Sequence, residues 1–229
     1  MKIFETKQSR KEYFDAQIER ARRKFKYCKV SFSCVLRWHE IIKKAQADSP
    51  IYGPILCLGV RNGREVDIFR TVFFGSKFKR WAIKWLERHK YRFTSFCKFF
   101  ESFKKSSIKN INKKSVVGVE INPDTKREDV FIGSFDELPL EWEGKFRIVF
   151  SNSFDQSMNP HNTAKEWNRV LAPGGYFIIS YAGENVKPTL TDPVGEISLE
   201  DIRDFFPGDL IYYNKFGNNY RDVIIRKQS

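Results

Sequence analysis

Three short segments of the chain hold residues that could bind a ligand at the ends of strands. Leu58-Gly59-Val60-Arg61-Asn62-Gly63 sets two glycines between an apolar run and a helical pattern. Gly59 lets the chain turn sharply out of a strand, and Gly63 lets a helix begin close to a ligand. N–H groups at such a helix start suit a carboxylate or a phosphate. Strand-to-helix turns also use glycine for packing alone, so the turn by itself leaves both readings open. Val116-Val117-Gly118-Val119-Glu120 is a strand ending on an acid. A carboxylate there can accept hydrogen bonds from both hydroxyls of a ribose, or it can be a solvated strand-end charge. Ile132-Gly133-Ser134-Phe135-Asp136-Glu137-Leu138-Pro139 follows the third strand. There a backbone N–H and the Ser134 hydroxyl could read the edge of an adenine.

The surrounding pattern supplies the elements that would position these segments. Residues 8–47 carry apolar positions at helical spacing, such as Tyr13, Ile18, Ala21 and Phe25, and read as one or two helices. Asp48-Ser49-Pro50 and Gly53-Pro54 end that arm. Ile55-Leu56-Cys57-Leu58 is a continuous apolar run of the kind found in buried parallel strands, and a helix follows through Val66, Phe69 and Phe73. Strand character returns at 116–120, 130–132, 146–151 and 176–181. A helix is expected at about 161–171, closed by Pro173-Gly174-Gly175, and a shorter one at 198–205 with Ser198 as its cap. Runs 210–216 and 220–226 flank Gly217-Asn218-Asn219 and read as a hairpin. This alternation predicts an α/β fold: a Rossmann-like, open, mostly parallel sheet with helices on both faces and a C-terminal antiparallel hairpin.

Charge divides the chain further. The sequence has 229 residues and a net charge of +13. Residues 1–50 hold 13 Lys/Arg against 6 acids, and residues 75–114 hold 13 against 2. The expected organisation is therefore a helical arm over 1–50 and one domain over 51–229, with a basic, aromatic-rich insertion at about 75–114. No apolar stretch is long enough to cross a membrane, and the first residues lack the apolar core of a signal peptide. Cys28, Cys34, Cys57 and Cys97 form no CxxC pair and have no histidines at zinc spacing, so no metal site is expected. Scattered cysteines fit a reducing cytoplasm, with peripheral attachment to a membrane as an added option.

The order of these segments resembles a known family. ILCLGVRNGREV, VVGVEINP, IGSFDELP, FRIVFSNSFDQS and EWNRVLAPGGYFIISYAG are similar to the successive motifs of class I S-adenosylmethionine-dependent methyltransferases, most of all the small-molecule, type 11-like branch. The similarity runs over roughly residues 53–183, the basic stretch excepted, and implies a seven-stranded sheet and S-adenosylmethionine as cofactor. It implies that Gly59, Val60, Arg61, Asn62 and Gly63 cradle the methionine moiety and that Glu120 holds the ribose. Ile121, Ser134 and Phe135 would surround the adenine, and Asn152 would border the transferred methyl. Three positions depart from the family pattern: Cys57 replaces an acid, Arg61 replaces the middle glycine of the first loop, and Ser134 replaces an acid. Glu65, just after the loop, is a candidate substitute for the missing carboxylate. A nicotinamide-binding sheet would call for a full GxGxxG, which is absent.

Methyl transfer from a sulfonium is an in-line displacement that depends chiefly on positioning. A base is needed only for a hydroxyl or another protonated nucleophile, and Asp155 and His161 are the candidates. Either could equally serve a turn or a helix start. In the basic insertion, Phe78, Trp81, Ala82, Trp85 and Leu86 share a helical face among Lys and Arg. Such a face suits packing or a dimer contact, an anionic membrane surface, nucleic acid, or the pocket of an acidic acceptor. The expected function is transfer of a methyl group to a small anionic or glycan-type acceptor, which could be a lipid-linked glycan. The alternatives are a non-catalytic binding protein on the same fold and a methyltransferase of RNA or protein.

Overall fold

Strand β2 (Ile55–Leu58) is buried along its whole length, as a strand flanked by neighbours and covered on both faces must be. The computed structural model describes residues 1–3, 10–26, 28–47, 53–76, 78, 80–81, 115–183, 186–216 and 220–228. Beside β2 lie β3 (Val116–Glu120), β4 (Val130–Ile132), β5 (Phe146–Ser151), β6 (Leu171–Ala182), β8 (Asp209–Phe216) and β9 (Tyr220–Arg226). They form a seven-stranded sheet in the order β4-β3-β2-β5-β6-β9-β8. The pairs from β4 to β6 are parallel, and β9 runs antiparallel to both its neighbours. A second small sheet pairs β1 (Lys2–Ile3) with β7 (Val194–Gly195).

Alternation along the strands splits the core in two. Leu56, Leu58, Val149, Phe177, Ile179, Val223 and Ile225 face one side, where α4 (Pro160–Val170) and α5 (Leu199–Phe205) pack through Trp167, Ile202 and Phe206. Ile55, Cys57, Ile148, Phe150, Ile178 and Ile224 face the other, covered by α2 (Phe32–Ala45) and α3 (Arg64–Phe74) through Trp38, Ile42 and Phe69. The arm resolves into α1 (Arg10–Arg23) and α2, the latter capped by Ser31, whose hydroxyl accepts from the Cys34 N–H. Ser198 and Asp201 form the reciprocal cap of α5.

Two expectations need correction. The fifth parallel strand begins at Leu171, not 176: α4 stops at Val170, and Leu171 already pairs with Phe146. Pro173-Gly174-Gly175 is an irregular stretch inside β6, where Gly174 takes φ +66° and the register against β5 shifts. Of the basic insertion, only residues 75–76, 78, 80 and 81 fall among those described. Phe78 and Trp81 are exposed there with their rings 5.9 Å apart. The rest of that segment, Cys97 and the hairpin turn at 217–219 lie outside the described residues.

Candidate functional site

Strand order reverses between β2 and β5, and a crevice forms beyond the carboxyl ends of the strands at that point. The turn after β2 is built by backbone conformation: Gly59, Arg61 and Gly63 have φ of +74°, +49° and +75°. A side chain at Gly59 would meet the Ser153 hydroxyl at 2.6 Å, so packing against the β5 end as well as conformation demands glycine there. The turn is clamped to β3. Glu120 Oε2 accepts from the Arg61 N–H at 2.5 Å and Oε1 from the Asn122 N–H at 3.0 Å, while the Thr125 hydroxyl donates to the Arg61 carbonyl.

Around this turn lies a narrow cleft. Gly59 and Arg61 line one wall, Glu120 and Ile121 the next, and Ser134, Phe135 and Asp136 a third. The roof is α1, through Tyr13, Phe14, Gln17, Arg20 and Ala21. That helix is held by its polar side chains. Tyr13 donates to the Gln156 carbonyl, Gln17 to the Thr191 carbonyl at 2.6 Å, and Arg20 pairs with both oxygens of Asp192. Of the residues named from sequence, Val60 is buried beneath the turn. Asn62 faces away from the cleft: its amide donates to the Phe25 carbonyl at 2.7 Å and its oxygen accepts from the Arg64 N–H at 3.0 Å. Gly63 is the left-handed residue that starts α3.

The sequence motif gives no role to Asp136, yet the structure brings it to the cleft. Its carboxylate lines the cleft two residues beyond Ser134, whose hydroxyl accepts from the Asp136 N–H at 3.1 Å. Burial pushes the Asp136 carboxyl upward against hydrogen bonds from Thr163 and Ser134. Burial likewise raises Glu120 against its backbone N–H partners. Glu65 is buried at the start of α3, where burial lifts it to about 7 and leaves Oε2 without a partner among the described residues. It lies by the Cys28 thiol rather than in the cleft.

A second and larger cleft adjoins the first. Arg20, Arg61 and Gln156 line both. The second is lined by Asn152 and Asp155 from the end of β5, by Asp192, and by the cations that follow α1. Asp155 sits in the 3-10 turn Phe154–Gln156, with Oδ1 buried and unpartnered among the described residues. Burial first, then the Asp192 charge, raises its carboxyl to about 6 against the pull of Lys29 and Arg20. His161 is not brought to either cleft: it is exposed in the first turn of α4, its ring 5.0 Å from that of Phe205. Among the described residues no group of His, Cys, Asp and Glu is arranged to hold a metal, and no helix is long and apolar enough to cross a membrane.

Residues 100–179 match a family described as a methyltransferase domain. No curated protein matches the chain in sequence. The fold is similar to that of 1,6-didemethyltoxoflavin-N1-methyltransferase from Burkholderia thailandensis, solved with 1,6-didemethyltoxoflavin and S-adenosylhomocysteine. That likeness has 12% identity and a TM-score of 0.55, over 99% of this chain and 94% of the other. A S-adenosylmethionine-dependent methyltransferase from Thermotoga maritima, a possible histamine N-methyltransferase, aligns at 15% identity and TM-score 0.50, over 95% of this chain and 99% of that one. Sheet order, the cleft at its switch point and the domain match together assign the chain to the class I S-adenosylmethionine-dependent methyltransferase fold.

Proposed function

We propose that the protein transfers the methyl group of S-adenosylmethionine to a small anionic molecule held in the second cleft. The observation that carries this reading is the meeting of two clefts at Arg61, Arg20 and Gln156, one lined by Glu120, Ile121 and Phe135 and the other lined with cations. The first cleft fits the donor chemically. Glu120 spends one lone pair of each oxygen on a backbone N–H and keeps others for the paired hydroxyls of a ribose. Ile121, Phe135 and Phe14 offer apolar surface to a purine, and the Asp136 carboxylate can accept from an exocyclic amine. Asp136 thus fills the role left open by Ser134.

When bound, S-adenosylmethionine supplies an electrophilic methyl on a sulfonium. The protein's own part is mainly to align the acceptor and exclude water. Helix α1 borders the cleft through Tyr13, Phe14, Gln17, Arg20 and Ala21. Asp155, raised to about 6, is largely ionised at neutral pH yet more basic than an ordinary carboxylate, which suits it to take a proton from a hydroxyl or another protonated nucleophile. Asn152 lines the second cleft beside it and supports the reading that the methyl is delivered there.

Thermal unfolding with S-adenosylhomocysteine, with NAD in parallel, tests the donor site. A ligand at about 100 times its Kd stabilises the folded state by about 2.7 kcal/mol. The shift is expected with S-adenosylhomocysteine alone and is expected to vanish in Glu120→Ala, whose own transition without ligand reports whether it folds. No shift in the natural sequence would overturn the reading and leave a binding platform on this fold.

A further inference from the structure

The second cleft carries more charge than a simple acidic molecule requires. Its lining holds seven cationic side chains against two carboxylates, a balance of +5. Arg20 and Asp192 cancel in a two-point ion pair. The remaining charges are unevenly placed. Arg23, Lys24 and Lys26 are exposed where the chain leaves α1, with exposed Lys187 also on the lining. Lys29 is half-buried, its ammonium 3.6 Å from the centre of the Tyr220 ring. The uncommitted carboxylate, Asp155, sits with Asn152 at the end of β5, beside the junction at Arg61 and Gln156.

This distribution orients a ligand. A single carboxylate neutralises one charge, whereas a phosphate ester brings about −1.5 to −2 and three acceptor oxygens suited to Lys and Arg. Asp155 and the half-buried Lys29 offset one another in the buried part of the cleft, so surplus positive charge is left with the exposed Arg23, Lys24 and Lys26, which attract an anion. On the methyltransferase reading above, we propose that the second cleft is a site for a phosphorylated small molecule. Its phosphate is held by Arg23, Lys24 and Lys26, and the hydroxyl to be methylated points toward Asp155. In the transfer, the hydroxyl oxygen gains the methyl carbon as the carbon–sulfur bond breaks, its electron pair going to sulfur. The hydroxyl proton goes to the Asp155 carboxylate. A phosphorylated acceptor thereby reacts through its far end, away from the group that anchors it.

The test uses calorimetric titration of the full chain with pyrophosphate and with acetate, with and without saturating S-adenosylhomocysteine, and the exposed pair Lys24→Glu/Lys26→Glu. Pyrophosphate is expected to bind at least about tenfold more tightly than acetate, a difference of about 1.4 kcal/mol. The paired variant is expected to lose that margin while its S-adenosylhomocysteine affinity stays within about twofold. Equal binding of the two anions, or pyrophosphate binding untouched by the charge reversal, overturns the proposal. A single-stranded oligonucleotide that displaces pyrophosphate, binds far more tightly and weakens steeply with salt also overturns it, in favour of a polymer acceptor. Pyrophosphate binding that depends on Lys24 and Lys26 without any S-adenosylhomocysteine binding supports the anion site while sinking the methyltransferase reading, so the two fail separately.

Discussion

Replacing Glu65 with glutamine tests whether a buried acid beneath the Gly59–Gly63 turn costs stability at neutral pH. Glu65 is 2% exposed, and its Oε2 has no partner among the described residues. Burial raises its carboxyl from 4.5 to about 7, against smaller opposing contributions from its own backbone, Cys28 and Arg61. Below 4.5 both the folded and the unfolded chain hold the proton, and the acid imposes no charge penalty. Between 4.5 and about 7 the unfolded chain has released a proton that the folded chain still holds, so stability falls as pH rises. Above about 7 the whole penalty is present. At about 1.4 kcal/mol for each tenfold change in proton affinity, that penalty is at most about 3 kcal/mol. Glu65→Gln removes the charge and keeps the shape, so it should stabilise the protein at pH 8 and do little at pH 4.5. For a chain of this size each kcal/mol shifts Tm by roughly 2–4 °C, giving a gap of up to about 12 °C. Thermal unfolding of both proteins across that pH range reads the effect. A gap that does not grow with pH, or a variant less stable at pH 8, would refute the reasoning.

Three further outcomes concern the two clefts. Arg61 holds φ +49°, a conformation that costs a residue with a Cβ about 1–2 kcal/mol, so Arg61→Gly should gain a net of about 0.5–1 kcal/mol after the added freedom of the unfolded chain is charged against it. A lower urea midpoint would mean that contacts of the guanidinium outweigh the strain. With a phosphorylated acceptor in hand, kcat should climb with pH through about 6 to a plateau, as Asp155 ionises. Asp155→Asn should lose about 10²–10⁴-fold in kcat with unchanged S-adenosylhomocysteine affinity, and a variant retaining full rate would remove Asp155 from the chemistry.

The parts of the site visible in the sequence are those fixed by local rules. Gly59 and Gly63 mark a turn because only certain residues adopt its backbone, and Glu120 stands out because an acid ends an apolar strand. The hairpin and the Ser198 cap are similarly local. What was hidden depends on residues far apart in the chain. Asp136 reaches the cleft because the loop after β4 turns back under α4, where Thr163 hydrogen-bonds it. Tyr13, Phe14, Gln17 and Arg20 form a roof because the loops bearing Gln156, Thr191 and Asp192 receive them, and helical periodicity gives no sign of those partners. The Asn62 side chain helps to hold the start of α3, a contact that the turn motif does not reveal. The long β6 is obscured by a proline and two glycines that bend a strand without ending it.

Helix α1 is one wall of both clefts: Arg20 faces both, Tyr13 and Phe14 face the first, and Arg23 with its following lysines faces the second. A single element therefore borders both clefts. On the proposed function, release of the Arg20–Asp192 pair would loosen the border of both clefts at once. The same arrangement separates specificity from architecture. On the proposed function, changes at Arg23, Lys24 and Lys26 would alter what the second cleft accepts while the sheet and the lining of the first cleft stay as they are, so a new substrate range would need a few residues at one helix end rather than a new fold.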